Sequence, residues 1–181
     1  MRVVGALLAV AALVAGAGHP ALSNDVPCAA ILPPQVRVLD CRLAATVAVG
    51  LEQSPTLRQA FARIAELQGI VYVATAKYVA VTRKDVRGAL SHQVAVSGPV
   101  CVLRITMITD VGDRALGSFA HELRHAIEVL EHPEARSESA IAALFERLGV
   151  PSGYGAYETE AAVATQMTVL RELEEWRRRP R

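Results

Sequence analysis

Apolar positions recur at helical spacing in some stretches of the chain and crowd together in others. Leu57, Phe61, Ile64 and Leu67 repeat every third or fourth position. They predict a core-packing helix from about Pro55 to Gln68, capped by Ser54 or Thr56 and stopped by Gly69. Leu116, Phe119, Leu123, Ile127 and Leu130 make a single apolar stripe. That stripe predicts a longer helix from Asp113 to about Glu131, ended by His132-Pro133. A shorter helix follows from about Ser137 to Leu148, closed by Gly149 and Pro151. After a loop over Ser152 to Ala156, a last helix is expected from about Tyr157 to Arg177. Between the first two helices, Ile70 to Thr75, Lys77 to Thr82, Gln93 to Val96 and Val100 to Ile108 read as strands, with a turn at Gly98-Pro99. The expected fold class is therefore α+β, a small mixed or antiparallel sheet packed with helices.

The start of the chain follows a different pattern. Arg2 precedes an apolar run from Val3 to Ala15 that is short for a bilayer span and reads as an export signal. Ala15-Gly16-Ala17 and Ala21-Leu22-Ser23 both offer cleavage patterns. The expected organisation is a signal peptide over 1–23, a Pro-rich N-terminal segment over 24–53 and one folded domain over 54–181. The mature chain is expected to be periplasmic or extracellular, with no stable membrane insertion. Disulfides persist in such compartments. Of the three cysteines, Cys28 and Cys41 would close the shortest loop, leaving Cys101 over, although three pairings are open.

Composition adds mainly exclusions. With 19 basic and 18 acidic residues and a formal net charge of +1, the chain has no broad field for gathering nucleic acid, so no such partner is expected. The 52% hydrophobic content is raised by the leader. The basic run Trp176-Arg177-Arg178-Arg179-Pro180-Arg181 suits the negative end of a helix and reads as a solvated terminus.

The chemistry-bearing motif lies inside the long helix, at His121-Glu122-Leu123-Arg124-His125. Residues four apart on a helix are rotated by about 40° and separated by one turn, so both imidazoles can reach one ion. Glu122 projects beside them, where it can act as general base toward water activated by that ion. The apolar stripe lies roughly opposite, leaving the histidine face available for a site. The plain alternative is a solvated face, since Glu128 and His132 share it.

A zinc site of this kind needs a third protein ligand and one open position. The metzincin arrangement is excluded, because Glu131 occupies its histidine position and Glu128 its glycine position. A carboxylate from a second helix, as in the gluzincins, is the other solution, and Glu158 and Glu160 are available at the start of the last helix. Glu158 shares its side with Ala162, Val169, Leu173 and Trp176, whereas Glu160 aligns with Arg171, Glu175 and Arg178. Periodicity therefore selects Glu158.

With His121-Glu122-Leu123-Arg124-His125-Ala126 and Tyr157-Glu158-Thr159-Glu160-Ala161-Ala162, the chain resembles the zincin superfamily, and within it small exported bacterial proteins. The resemblance covers about a third of the chain. It implies a zincin-like fold, a Zn2+ cofactor held by His121, His125 and Glu158, Glu122 as catalytic base and a peptide or protein substrate. Ala162 stands where gluzincins carry the aspartate of their Asn-Glu-x-x-x-Asp pattern, so no group is assigned to orient the histidines. Tyr154, Tyr157 and, more weakly, Arg124 are candidates for stabilising an oxyanion. Val100 to Ile108 is the expected substrate-pairing edge strand. The alternatives are an inert zinc-binding domain and a metal-free α+β interaction domain.

Overall fold

A computed structural model describes residues 32–75, 87–108, 111–153 and 156–180. The expected signal peptide, Cys28 and the strand over 77–82 lie outside them. Five strands form one mixed sheet: β1 (Val36–Val38), β2 (Gly69–Thr75), β3 (Gly88–Leu90), β4 (Ala95–Ser97) and β5 (Val100–Met107). β1, β2 and β5 run parallel in that order, and β3 and β4 pair antiparallel with the far side of β5 at its two ends. Helices α1 (Cys41–Gln53) and α2 (Pro55–Glu66) make the crossover from β1 to β2. The chain then adds α3 (Gly112–Leu130), α4 (Glu138–Leu148), a hairpin of β6 (Val150–Gly153) and β7 (Ala156–Glu158), and α5 (Glu160–Arg177). The α+β class expected from the pattern is the class observed.

Strand alternation explains where the core sits. Val36, Val38, Val71, Val73, Leu103, Ile105 and Met107 are buried in one cluster with Leu43, Leu57, Phe119 and Leu123 of the helices. On the opposite face, Arg37 lies over the Tyr72 ring at 5.2 Å and donates to its hydroxyl at 2.5 Å, and Arg104 is exposed. Helices therefore cover one face of the sheet, and the residues of that face are the apolar set.

The domain is broader than the expected 54–181. Residues assigned to a Pro-rich leader supply β1 and α1 instead, and Val36, Leu43, Ala44 and Val47 are fully buried. Asp40 starts α1 by accepting from Arg42 N and Leu43 N. Cys41 is disulfide-bonded and Cys101 is a free, buried thiol, which leaves Cys101 as the odd cysteine.

Local signals account for most helix ends. Ser54 caps α2 by accepting from Leu57 N, and Glu172 of α5 binds both Ser54 and Thr56, tying that cap to the last helix. Gly69 does not stop α2 by its backbone freedom. The left-handed residue is Gln68, with φ of 55°. Gly69 opens β2 and admits Leu130, whose Cδ1 would lie 2.4 Å from an added Cβ. Ser137 caps α4. The last helix begins later than expected: Thr159 is its N-cap, accepting from Ala162 N, and Tyr157 and Glu158 belong to β7. Its far end is tied to the start of α3 by an Arg177–Asp113 ion pair of 2.7 Å. No helix among the described residues is long and apolar enough to cross a membrane.

Candidate metal centre

The apolar stripe of α3 packs as its spacing requires, and Leu116, Phe119, Leu123, Ile127 and Leu130 are all buried. The opposite face is not solvated. His121, Glu122, His125 and Glu128 are between 4% and 8% exposed, covered by their surroundings although each is polar or charged. Burial of that kind is unfavourable unless the groups are partnered. A long polar helix face under cover therefore marks a built site.

His121 and His125 turn their Nε2 atoms toward each other at 3.1 Å, with the rings at 81°. The carboxylate of Glu158, at the end of β7, meets His121 Nε2 at 2.9 Å through Oε2. The ligand atoms of these three residues all lie within 4.8 Å of one another, close enough that the group could hold one metal ion. Tetrahedral zinc with bonds of about 2.0–2.1 Å holds its ligand atoms about 3.3 Å apart. Two facing imidazole lone pairs repel unless a proton or cation lies between them, so the spacing and the donor chemistry both fit zinc. Two imidazoles and one carboxylate also leave a fourth position open.

Glu158 reaches the histidines from strand β7 rather than from the helix its periodicity predicts, because α5 starts only at Glu160. Glu160 is exposed in the first turn of α5 and opens on a separate cavity with Arg124 and His132. The structure places Glu158, and not Glu160, beside the histidines because Thr159 sits between them as a helix cap and the backbone changes direction there.

Glu122 lies under β3. The Leu90 backbone N–H donates to its carboxylate, and a Cβ at Gly88 would stand 2.8 Å from Glu122 Cγ. Burial pushes the Glu122 carboxyl above the ordinary carboxylate range; the two histidines oppose that shift and Glu158 adds to it. Burial lowers the His121 pKa, but the hydrogen bond His121 donates to Glu158 and the charges of Glu122, Glu158 and Glu128 outweigh it, and the net shift is upward. A cavity of about 410 Å³ opens over these groups, walled by Leu90, His92, Phe145, Tyr157 and Val163. Phe145 stacks on His92 at 5.8 Å and sets its edge against His125 at 5.2 Å.

The other sequence candidates separate. Tyr157 lines the cavity, and Tyr154 lies outside the described residues. Arg124 faces away, paired with Glu128 at 3.5 Å and with Glu131 at 3.4 Å. The segment 100–108 is not an edge: β5 lies between β2 and the β3 and β4 pieces, so the strand bordering the cavity is β3. The pattern missed Glu128 and Thr159, whose signals were a carboxylate three residues after His125 and a hydroxyl before a helix. His92, Phe145 and the Gly88 contact carried no local signal, since only the fold brings them to α3.

Comparison of the chain with protein-family models, with curated proteins and with solved structures finds no match.

Proposed function

We propose that this chain is an exported zinc metallohydrolase of the zincin type, acting as a peptidase. One observation carries the reading: His121 Nε2, His125 Nε2 and Glu158 Oε2 converge while a second carboxylate, that of Glu122, is held next to them under a strand that borders a cavity. Zinc in such a site supplies Lewis acidity, bringing the pKa of bound water to near neutrality and polarising a substrate carbonyl.

The chain's own residues do the rest. Glu122, disposed by its environment to take up a proton, accepts one from the attacking water and delivers it to the leaving amine as the C–N bond breaks. The Leu90 N–H and the close fit at Gly88 hold the base in place. Tyr157 lines the same cavity and can present its phenol to the developing oxyanion. β3 pairs with β5 on one side and borders the cavity on the other, which suits main-chain pairing with an extended peptide. The disulfide at Cys41 agrees with an oxidising compartment and so with export.

Elemental analysis of the purified chain should give about one zinc per chain, lost in His121→Ala. Glu122→Gln should keep the metal and lose hydrolysis of a peptide library. Zinc retained without turnover by the unmutated chain would identify an inert zinc-binding domain, and failure to hold zinc would identify a metal-free interaction domain.

A further inference from the structure

We propose that Glu128 is the positioning residue of the site, one carboxylate that orients the His125 ring with one oxygen and anchors the turn bearing Glu158 with the other. The inference rests on the metal-centre reading above and supplies the orienting group that the missing aspartate at position 162 left unassigned.

Glu128 follows His125 by three residues, which places it one turn further along the same face of α3. Its Oε2 lies 3.0 Å from His125 Nδ1. A carboxylate can only accept, so Nδ1 carries the proton and the Nε2 lone pair is presented toward His121 and Glu158. That is the tautomer a metal ligand requires, and the added negative charge makes the imidazole a stronger donor. The other oxygen, Oε1, accepts from the Thr159 hydroxyl at 2.8 Å. Thr159 follows Glu158 directly, and its hydroxyl oxygen also accepts from Ala162 N at 3.1 Å, so one side chain caps α5 and binds α3. The third ligand is therefore attached to the histidine helix through a chain of hydrogen bonds that runs behind the metal position.

A carboxylate that is 4% exposed has to be compensated, and this one is. Burial raises its pKa, but the hydrogen bonds from His125 and Thr159, with the charges of His125 and Arg124, lower it further and leave it below the ordinary value. The two histidines differ in this respect. His121 Nδ1 is buried with no hydrogen-bond partner among the described residues, and its ring is held from the Nε2 side. Glu128 supplies the rigidity on the other side and spans the two elements that bring ligands.

The test is zinc affinity by competition with a chromophoric chelator, together with the visible spectrum of the Co2+-substituted full chain. Glu128→Ala should bind zinc about 10–100-fold more weakly, the usual effect of losing an orienting partner, with an altered Co2+ spectrum. Thr159→Val should shift both readouts in the same direction, and Thr159→Ser should restore them. Wild-type affinity and spectrum in Glu128→Ala, or in Thr159→Val, would overturn the proposal. If Glu128→Ala fails to fold, Glu128→Gln decides: its neutral amide is a weaker acceptor, so affinity should fall several-fold and the spectrum should move, and no change in either would again overturn it. Failure of the unmutated chain to bind zinc would instead refute the metal centre itself.

Discussion

The two sides of α3 are buried to a similar degree, but for opposite chemical reasons. Phe119 and Leu123, facing the core, are fully buried, and each such side chain contributes about 1.5–3 kcal/mol by leaving water. On the far side His121, Glu122, His125 and Glu128 are barely more exposed, and their burial opposes folding except where a partner offsets it. One side stabilises the helix unconditionally. On the proposed metal-centre reading the other stabilises it fully only with an ion in place, which makes the apolar face the support on which an otherwise unfavourable polar cluster is carried.

The contrast can be broken most sharply from the apolar side. Phe119→Ala should destabilise the protein by about 3–5 kcal/mol, and urea unfolding should show the same loss with zinc and with chelator. A loss seen only in the metal-free protein would erase the distinction between the faces. Next in size is zinc itself, which at a free concentration 100 times its Kd should add about 2.7 kcal/mol. Thermal melts should show that gain, and His121→Ala or Glu158→Gln should abolish it.

The pH dependence of the metal-free protein follows from the shifts in the polar cluster. His121 and Glu122 both have raised pKa values, so the stability each contributes is present while it is protonated and is lost as pH rises through its folded value. For His121 that loss falls above its ordinary value of 6.5. Zinc competes with the same protons, so its stabilising increment should grow over that range. Melting curves between mildly acidic and mildly alkaline pH, with and without zinc, measure both slopes. Glu122→Gln should raise metal-free stability at neutral pH by less than zinc does, because it removes the buried charge. A lower melting temperature for the chelated variant than for the chelated unmutated chain would contradict that. The smallest change is expected for Glu160→Gln, within about 0.5 kcal/mol and with zinc content unaltered, since this residue is exposed outside the cluster.

Much of this contrast could be read before folding. The stripe on α3 is a period of 3.6 residues written over 19 residues, and the two histidines four apart declare their common face. What escaped the pattern was supplied by contact between distant parts. β3 has three residues, Gly88-Ala89-Leu90, and becomes a strand because β5 offers it a ladder. α1 has a buried set at Leu43, Ala44, Val47 and Gly50 that does follow helical spacing, but it sits behind a Pro-rich stretch and was grouped with it. Tyr157 and Glu158 share the period of the helix they introduce, but Thr159, a good capping residue, starts that helix after them. Glu128 looked solvated because periodicity distinguishes polar from apolar, and only packing shows whether a polar face meets water.

The missing side chain at Gly88 has a consequence for how such a cleft can diversify. The floor, where sheet edge and helix meet, has clearance for a hydrogen atom and nothing larger, so its depth is a fixed dimension of the scaffold. The walls come from α4, the loop after β3 and the turn into α5, none of which is bound by that limit. Variation in the lining can therefore accumulate around the rim while the spacing between β3 and Glu122 stays constant.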